Sequence, residues 1–230
     1  MYLYVLLALA IIPVILIGKY IYNKDQIKEP QGLLVKVFVY GCLSVIPAIM
    51  LESMFEVIFS GLNLPKRLNE FVSVFIGVAL VEEFCKYIAM KGAIYKKGDF
   101  DEMYDGIIYA VFAALGFACI ENIAYVFSYG IGTGISRALL AVPSHVCDGV
   151  IMGYFVSCAK RVKKTSRIKE LYYLFMAIAV STITHGFYDF CLTIGELDYL
   201  LAFVVFVISI YISMVRVVKD VSKKGEKIEK

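Results

Sequence analysis

Seven apolar segments divide the sequence, and each is long enough to cross a bilayer, which takes about 20 residues of helix at roughly 1.5 Å each. Of the 230 residues, 60% are hydrophobic, whereas a soluble domain is about 45–50% apolar. We therefore predict an all-α membrane protein, a polytopic bundle of about seven transmembrane helices that forms one transmembrane domain over residues 1–230. The predicted helices cover residues 2–22, 33–60, 69–92, 105–129, 135–159, 171–193 and 197–217.

The basic residues favour one orientation of this bundle. Most of the 23 lysines and arginines lie in loops 19–31, 91–104 and 160–170 and in the C-terminal tail. The alternate loops contain only Lys66, Arg67 and Arg137. By the positive-inside rule, the N-terminus is predicted outside and the C-terminus in the cytoplasm.

Two classes of function are disfavoured by the pattern of charges and cysteines. The basic residues are confined to short loops between apolar runs, so we expect no nucleic-acid partner. The six cysteines are scattered singly and form no C-x-x-C spacing, which argues against a zinc ribbon or a redox motif.

The third apolar segment carries three charged residues near its middle. The run from Phe71 to Met90 is otherwise apolar and contains Glu82, Glu83 and Lys86. One charged side chain at mid-membrane costs about 2.5–3.5 kcal/mol even on lenient insertion scales. The spacings of three and four residues let the lysine pair with either glutamate on one helix face. A structural ion pair is one interpretation; the one we favour is a proton-handling or water-activating site shielded from lipid.

The next three predicted helices bring further polar residues to a similar depth. Glu121 and Asn122 lie on the fourth, His145 on the fifth and His185 on the sixth. At ~1.5 Å per residue, all of them and the glutamate pair lie between ~12 and ~20 Å from the outer surface. The two histidines are the only ones in the sequence. Four helices that run in alternate directions thus converge on one level.

An acidic residue accompanies each histidine. Asp148 follows His145 by three residues and Asp189 follows His185 by four, so each pair can share a helix face. A carboxylate bonded to an imidazole fixes its tautomer and orientation. We therefore interpret the two aspartates as supporting residues.

These residue types leave three interpretations open. A glutamate can act as general base on water while the histidines and Asn122 stabilise an oxyanion. Alternatively, two histidines and a glutamate can hold a catalytic Zn²⁺, although the sequence contains no H-E-x-x-H motif. The third interpretation is a proton- or ion-coupled transporter or channel with a Glu/His/Asp relay, against which stands the absence of an inverted repeat.

A series of four motifs over residues 70–195 resembles the PrsW proteases, bacterial relatives of the type II CAAX prenyl endopeptidases and the Abi proteins. The motifs are Glu82-Glu83-x-x-Lys86, Gly116-Phe117-x-x-x-Glu121-Asn122, His145, and His185-Gly-Phe-Tyr-Asp189-Phe190.

The resemblance implies a multi-pass intramembrane endopeptidase of the bacterial cell membrane. It would make the first (site-1) cut in a single-pass membrane protein, such as an anti-sigma factor, on the extracytoplasmic side and in response to envelope stress. By analogy, Glu82 would activate water, and Glu83 would support it or exchange roles with it.

The candidate residues that follow from the motifs fall into two sets. The candidate catalytic residues, which are also the candidate ligands if a metal is bound, are Glu82, Glu83, Glu121, His145 and His185. The candidate supporting residues are Lys86, Asn122, Asp148 and Asp189. Relatives usually carry His at Glu121, Asn at Asp189, and Arg one residue after Lys86, so the oxyanion role does not transfer simply to Glu121.

Overall fold

A computed structural model describes residues 1–228, and within that range the chain is helical and has no β-strand beyond one isolated bridge between Glu102 and Lys227. We number seven long helical runs α1 to α7. Their bounds are α1 Tyr2–Lys24, α2 Gln31–Gly61, α3 with the consecutive segments Lys66–Val72, Ser73–Leu80 and Val81–Ile94, α4 Met103–Tyr129, α5 Ile131–Val162, α6 Arg167–Ile194 and α7 Leu197–Lys224.

Six of these helices are long and apolar enough to cross a membrane, namely all except α3. The class of an all-α multi-pass membrane protein is thereby confirmed. The α3 run carries Glu82, Glu83 and Lys86 in its last segment, Val81–Ile94. The count of seven spans and the orientation of the termini remain predictions.

Five helix starts, those of α2 to α6, lie two to four residues earlier than the sequence predicted. Among them, the α3 run begins at Lys66, and α5 begins at Ile131, within residues 130–134, which the predicted bounds leave between two helices. Within residues 130–134, only Gly130 leaves the helical conformation, with a φ of +82°. Gly134 lies in the helix and packs closely against Leu9 of α1.

The central helix is α4, which is buried over most of its length between α2 and α5. Glycines allow this close packing. A Cβ at Gly116 would lie 2.1 Å from the backbone oxygen of Phe38 in α2, and a Cβ at Gly153 in α5 would lie 2.2 Å from that of Gly106. The glycine of the Gly116-Phe117 motif therefore serves helix packing.

Two π-helical segments lie just before the candidate site residues. One is Ser73–Leu80 in α3, directly before Glu82, and the other is Arg137–Ala141 in α5, four residues before His145. A π-segment changes the direction in which the following side chains leave the helix, and such segments are frequent at functional sites. Both helices therefore turn their polar residues inward by the same device.

The substitution Gly116→Ala tests the packing of α4 on α2. We expect it to lower the free energy of unfolding by about 1–3 kcal/mol, because the new methyl group has no room beside the α2 backbone. Gly92→Ala is the matched control, since nothing lies within 4 Å of a Cβ there, and an exposed helical glycine is destabilising relative to alanine. Denaturant unfolding in detergent measures both. Equal losses in the two variants would contradict this packing.

Candidate active site

Four of the predicted site residues come together in the structure. One ligand atom each from Glu82, Glu83, His145 and His185 lies within 4.8 Å of the others, and all four side chains are buried. They come from α3, α5 and α6, so this cluster depends on the tertiary packing of three helices.

The ammonium group of Lys86 lies at the centre of the cluster and is only 1% exposed. Its Nζ donates to Glu82 Oε2 at 2.9 Å, to Glu83 Oε1 at 2.8 Å and to His145 Nδ1 at 3.0 Å. An ammonium has only donors, so Nδ1 of His145 accepts and its Nε2 carries the proton. The lysine therefore fixes both the charge balance of the glutamate pair and the tautomer of His145.

The second imidazole lies between two carboxylates. His185 Nδ1 is 2.8 Å from Glu83 Oε1, and its Nε2 is 3.2 Å from Asp189 Oδ2 and 3.8 Å from Glu82 Oε2. The expected pairing of Asp189 with His185 is present. The two histidine rings lie edge to face with centroids 5.3 Å apart. Asp189 and Glu83 thus hold His185 from opposite sides.

Glu121 joins the cluster through His145. Its Oε2 lies 2.9 Å from the Nε2 of that histidine and 3.0 Å from Arg137 Nη2. Arg137 Nε also donates to Asn122 Oδ1 at 2.7 Å, and the guanidinium lies 4.0 Å from the ring centroid of Tyr125. The motif pair Glu121-Asn122 therefore binds a histidine and an arginine.

Arg137 is a site residue that the sequence analysis missed. The sequence analysis uses it only as a basic residue that orients the bundle, although it lies within the predicted helix 135–159. Arg137 lies in α5, about two helical turns before His145. This spacing puts both residues on one helix face and is the sequence signal that could have identified Arg137 as a site residue. Arg137 lines the same cavity as the histidines.

Asp148 lies in the cavity wall but does not orient His145 as expected. Its Oδ1 accepts a hydrogen bond of 2.5 Å from Thr184 in α6, and its Oδ2 has no hydrogen-bond partner in the described structure. Both ring nitrogens of His145 face Lys86 and Glu121 instead. Asp148 thus connects α5 to α6.

A cavity of about 640 Å³ lies next to these residues. Glu82 lines it, whereas Glu83 is fully buried, at 0% exposure. The polar side chains that line the cavity are Glu52, Glu82, Glu121, Tyr125, Ser136, Arg137, Ser144, His145, Asp148, His185, Tyr188 and Asp189. The volume and the mixture of apolar and polar walls are those of a ligand-sized site.

The donor set of the cluster fits a divalent metal ion. Two imidazoles and two carboxylates are the ligands that Zn²⁺ takes in hydrolytic sites. Glu83 Oε2 is buried and has no partner in the described structure, so it offers a free lone pair. Lys86 hydrogen-bonds to three members of the set, Glu82, Glu83 and His145. Because an imidazole nitrogen has one lone pair, a bound ion would replace Lys86 at His145 Nδ1, while Nε2–H would keep its contact with Glu121.

Comparison with known proteins decides the family. A family described as "PrsW family intramembrane metalloprotease" matches residues 29–214. The chain belongs to the PrsW protease family. It is 37% identical to Protease PrsW of Oceanobacillus iheyensis over 81% of this chain and 82% of the relative. It is 36% identical to Protease PrsW of Clostridioides difficile over 90% of this chain and 87% of the relative. It is 34% identical to Protease PrsW of Bacillus subtilis over 88% of this chain and 90% of the relative.

No solved structure matches the chain. The PrsW family assignment confirms the expected membrane-embedded protease and the multi-pass location in a bacterial membrane.

Lys86→Gln tests how far the cluster depends on one ammonium. Removing one partner of a buried ion pair leaves an uncompensated charge, so the free energy of unfolding should fall by about 3–5 kcal/mol. Lys66→Gln is the control, because that lysine is 87% exposed in its pair with Glu70 and exposed pairs contribute little. Unfolding in detergent measures both variants. An unchanged free energy of unfolding in Lys86→Gln would contradict the proposed charge balance.

Proposed function

We propose that this PrsW family member makes the first cut in a single-pass membrane protein, such as an anti-sigma factor, and that the cut lies toward the outer side of the membrane. The observation that supports this most is the cavity beside the Glu82, His145 and His185 cluster, since it brings a carboxylate and two imidazoles to one ligand-sized space. A segment of extended peptide could bind there next to the glutamate.

Glu82 is our candidate for the general base. In this role it removes a proton from water as the water oxygen attacks the scissile carbonyl carbon, and it returns the proton to the leaving amine. The choice of Glu82 over Glu83 is supported by its place in the cavity wall, whereas Glu83 lies behind it between Lys86 and His185. Glu83 then acts as a positioning residue.

The developing oxyanion needs hydrogen-bond donors that face the cavity. Arg137 lines it and is our candidate donor. His145 and His185 line it too, but their ring nitrogens already face Lys86, Glu121, Glu83 and Asp189. Asn122 is fully buried and accepts from Arg137 Nε, so we assign it to holding that guanidinium. Glu121 would orient His145 and Arg137 together.

The family description implies a metal, and the four clustered residues Glu82, Glu83, His145 and His185 are those that would hold it. A bound Zn²⁺ would polarise the scissile carbonyl and lower the pKa of water. The positioning of His185 by Asp189 serves either form of the site, whereas the contact of Lys86 with His145 belongs to the metal-free form.

Glu82→Gln tests the base. The loss of a positioned general base costs about 10²–10⁴-fold in rate, so we expect kcat for cutting of a co-reconstituted single-pass substrate to fall by that factor. The matched control is Glu56→Gln, an exposed acid of α2 outside the cavity lining.

Three alanine variants test the whole site. If Glu82→Ala, Glu83→Ala and His185→Ala all cut the substrate as well as the parent protein does, the proposed active site is wrong. If the parent protein conducts protons or ions into liposomes and Glu82→Gln abolishes this flux, the alternative function of a transporter or channel would be favoured.

Metal content tests the donor set directly. We expect purified protein to retain about one Zn²⁺ per chain after dialysis, as a site with several protein ligands does. The double substitution His145→Gln and His185→Gln should abolish this zinc retention. The control Cys147→Ala, in the same helix as His145, should leave it unchanged. Elemental analysis gives the stoichiometry. Equal zinc retention by the histidine variant would place any bound ion elsewhere.

Reporter fusions test the orientation on which the outer cut depends. Alkaline phosphatase fused at Asn63, between α2 and α3, should be active because we expect that loop outside. Green fluorescent protein fused after residue 230 should fluoresce because we expect the C-terminus in the cytoplasm. The reverse pattern would move the site toward the cytoplasmic side.

A further inference from the structure

A second cavity, of about 420 Å³, lies at the other end of the bundle. It is formed by the stretch between α3 and α4, the end of α5 and the tail residue Ile228. Five lysines line it, and Asp101 is the one acid among its lining residues in the described part of the chain. The lysines are Lys96, Lys97, Lys160, Lys163 and Lys164.

The floor of this lysine pocket is rigid. Tyr95 and Phe100 are buried, lie edge to face, and Tyr95 is anchored by a hydrogen bond of 2.7 Å to Glu170. The ammonium of Lys160 lies 4.2 Å from the ring centroid of Phe100, and that of Lys163 lies 4.8 Å from that of Tyr95. The aromatic faces hold these two charges in position.

The wall of the pocket is also held by the backbone. Lys160 Nζ donates to the carbonyl of Lys97 at 2.9 Å, which ties the end of α5 to the stretch after α3. On the other side, the N–H of Ile228 donates to the carbonyl of Asp101 at 2.6 Å. The pocket therefore has a defined shape before any ligand binds.

In the part of the chain that the structure describes, the five lysines have no acidic partner, unlike the nearby arginines. Within residues 1–228, none of them has a carboxylate oxygen within 4.0 Å, whereas Arg161 pairs with Glu226 at 2.9 Å and Arg167 with Glu170 at 2.6 Å. Like charges gathered without partners repel each other, and an anion bound between them would offset that repulsion. Within the described residues, five ammonium groups without a carboxylate partner thus line one cavity.

We propose that the lysine pocket binds a phosphate-bearing anion. Lysine is a common phosphate ligand that acts as a point charge, and basic clusters on the cytoplasmic side of membrane proteins bind anionic lipid head groups. The positive-inside rule accounts for lysines in these loops, but it does not account for their arrangement around one cavity with an aromatic floor. The phosphate belongs either to a lipid head group or to a soluble molecule.

The test uses the full-length protein in a zwitterionic detergent and two probes, inorganic pyrophosphate and dihexanoyl phosphatidylglycerol. Isothermal titration calorimetry measures the dissociation constant of each. The pocket variant carries Lys97→Gln, Lys163→Gln and Lys164→Gln, and it spares Lys160 because that side chain bonds the backbone. The control variant removes three exposed charges outside the pocket, with Lys169→Gln, Lys219→Gln and Lys223→Gln.

We expect at least one probe to bind saturably and the pocket variant to weaken it by about 100-fold, because each lysine near a phosphate surface contributes about fivefold. The control variant should weaken it by less than about twofold. Binding of pyrophosphate would identify a soluble phosphate as a ligand, and binding of the lipid alone would identify a head group. Equal weakening in both variants, or no saturable binding of either probe, would overturn the proposal. Unchanged melting temperatures without ligand verify that both variants are folded.

Discussion

The buried contacts of Lys86 are the interaction on which the rest of the site depends. Two of them lie within α3, where the spacing of three and four residues brings Glu83 and Glu82 to the same ammonium group. The third crosses to His145 in α5. Helix α3 therefore brings its own countercharge into the apolar bundle, and this countercharge also orients an imidazole from another helix. Buried ion pairs add little net stability, so we interpret the trio as a device that fixes geometry.

The backbone makes this geometry available in two ways. Close glycine contacts bring α4 against α2 and α5, which places Glu121 within 2.9 Å of His145. The π-segments Ser73–Leu80 and Arg137–Ala141 then direct the polar residues of α3 and α5 inward. The polar cluster thus lies where two irregular helical segments meet closely packed helices.

Much of this arrangement could be predicted from the sequence. Charged and histidine residues are so costly in apolar segments that their presence predicts a function, and helical rise alone placed them at one depth. Short-range relations within one helix, such as Lys86 with its glutamates and Asp189 with His185, followed from the spacing.

Relations between helices could not be predicted from the sequence. The sequence did not show that Asp148 binds Thr184 in α6, since helix rotation is set by packing. The role of Arg137 was hidden because a basic residue near a helix end is normally a topological signal. The early start of α5 was not predicted, and the packing of its Gly134 against Leu9 of α1 is a tertiary contact that the sequence does not show.

The central claim is that acids of α3 and α4 contact the imidazoles of α5 and α6 in one cluster. Solid-state NMR in lipid can test it, because histidine labelling with ¹⁵N marks only two residues in this sequence. With ¹³C in the glutamate carboxyl groups, rotational-echo dephasing should be strong for both rings, since His185 Nδ1 lies 2.8 Å from a Glu83 oxygen and His145 Nε2 lies 2.9 Å from a Glu121 oxygen. Absence of dephasing at either ring would contradict the account.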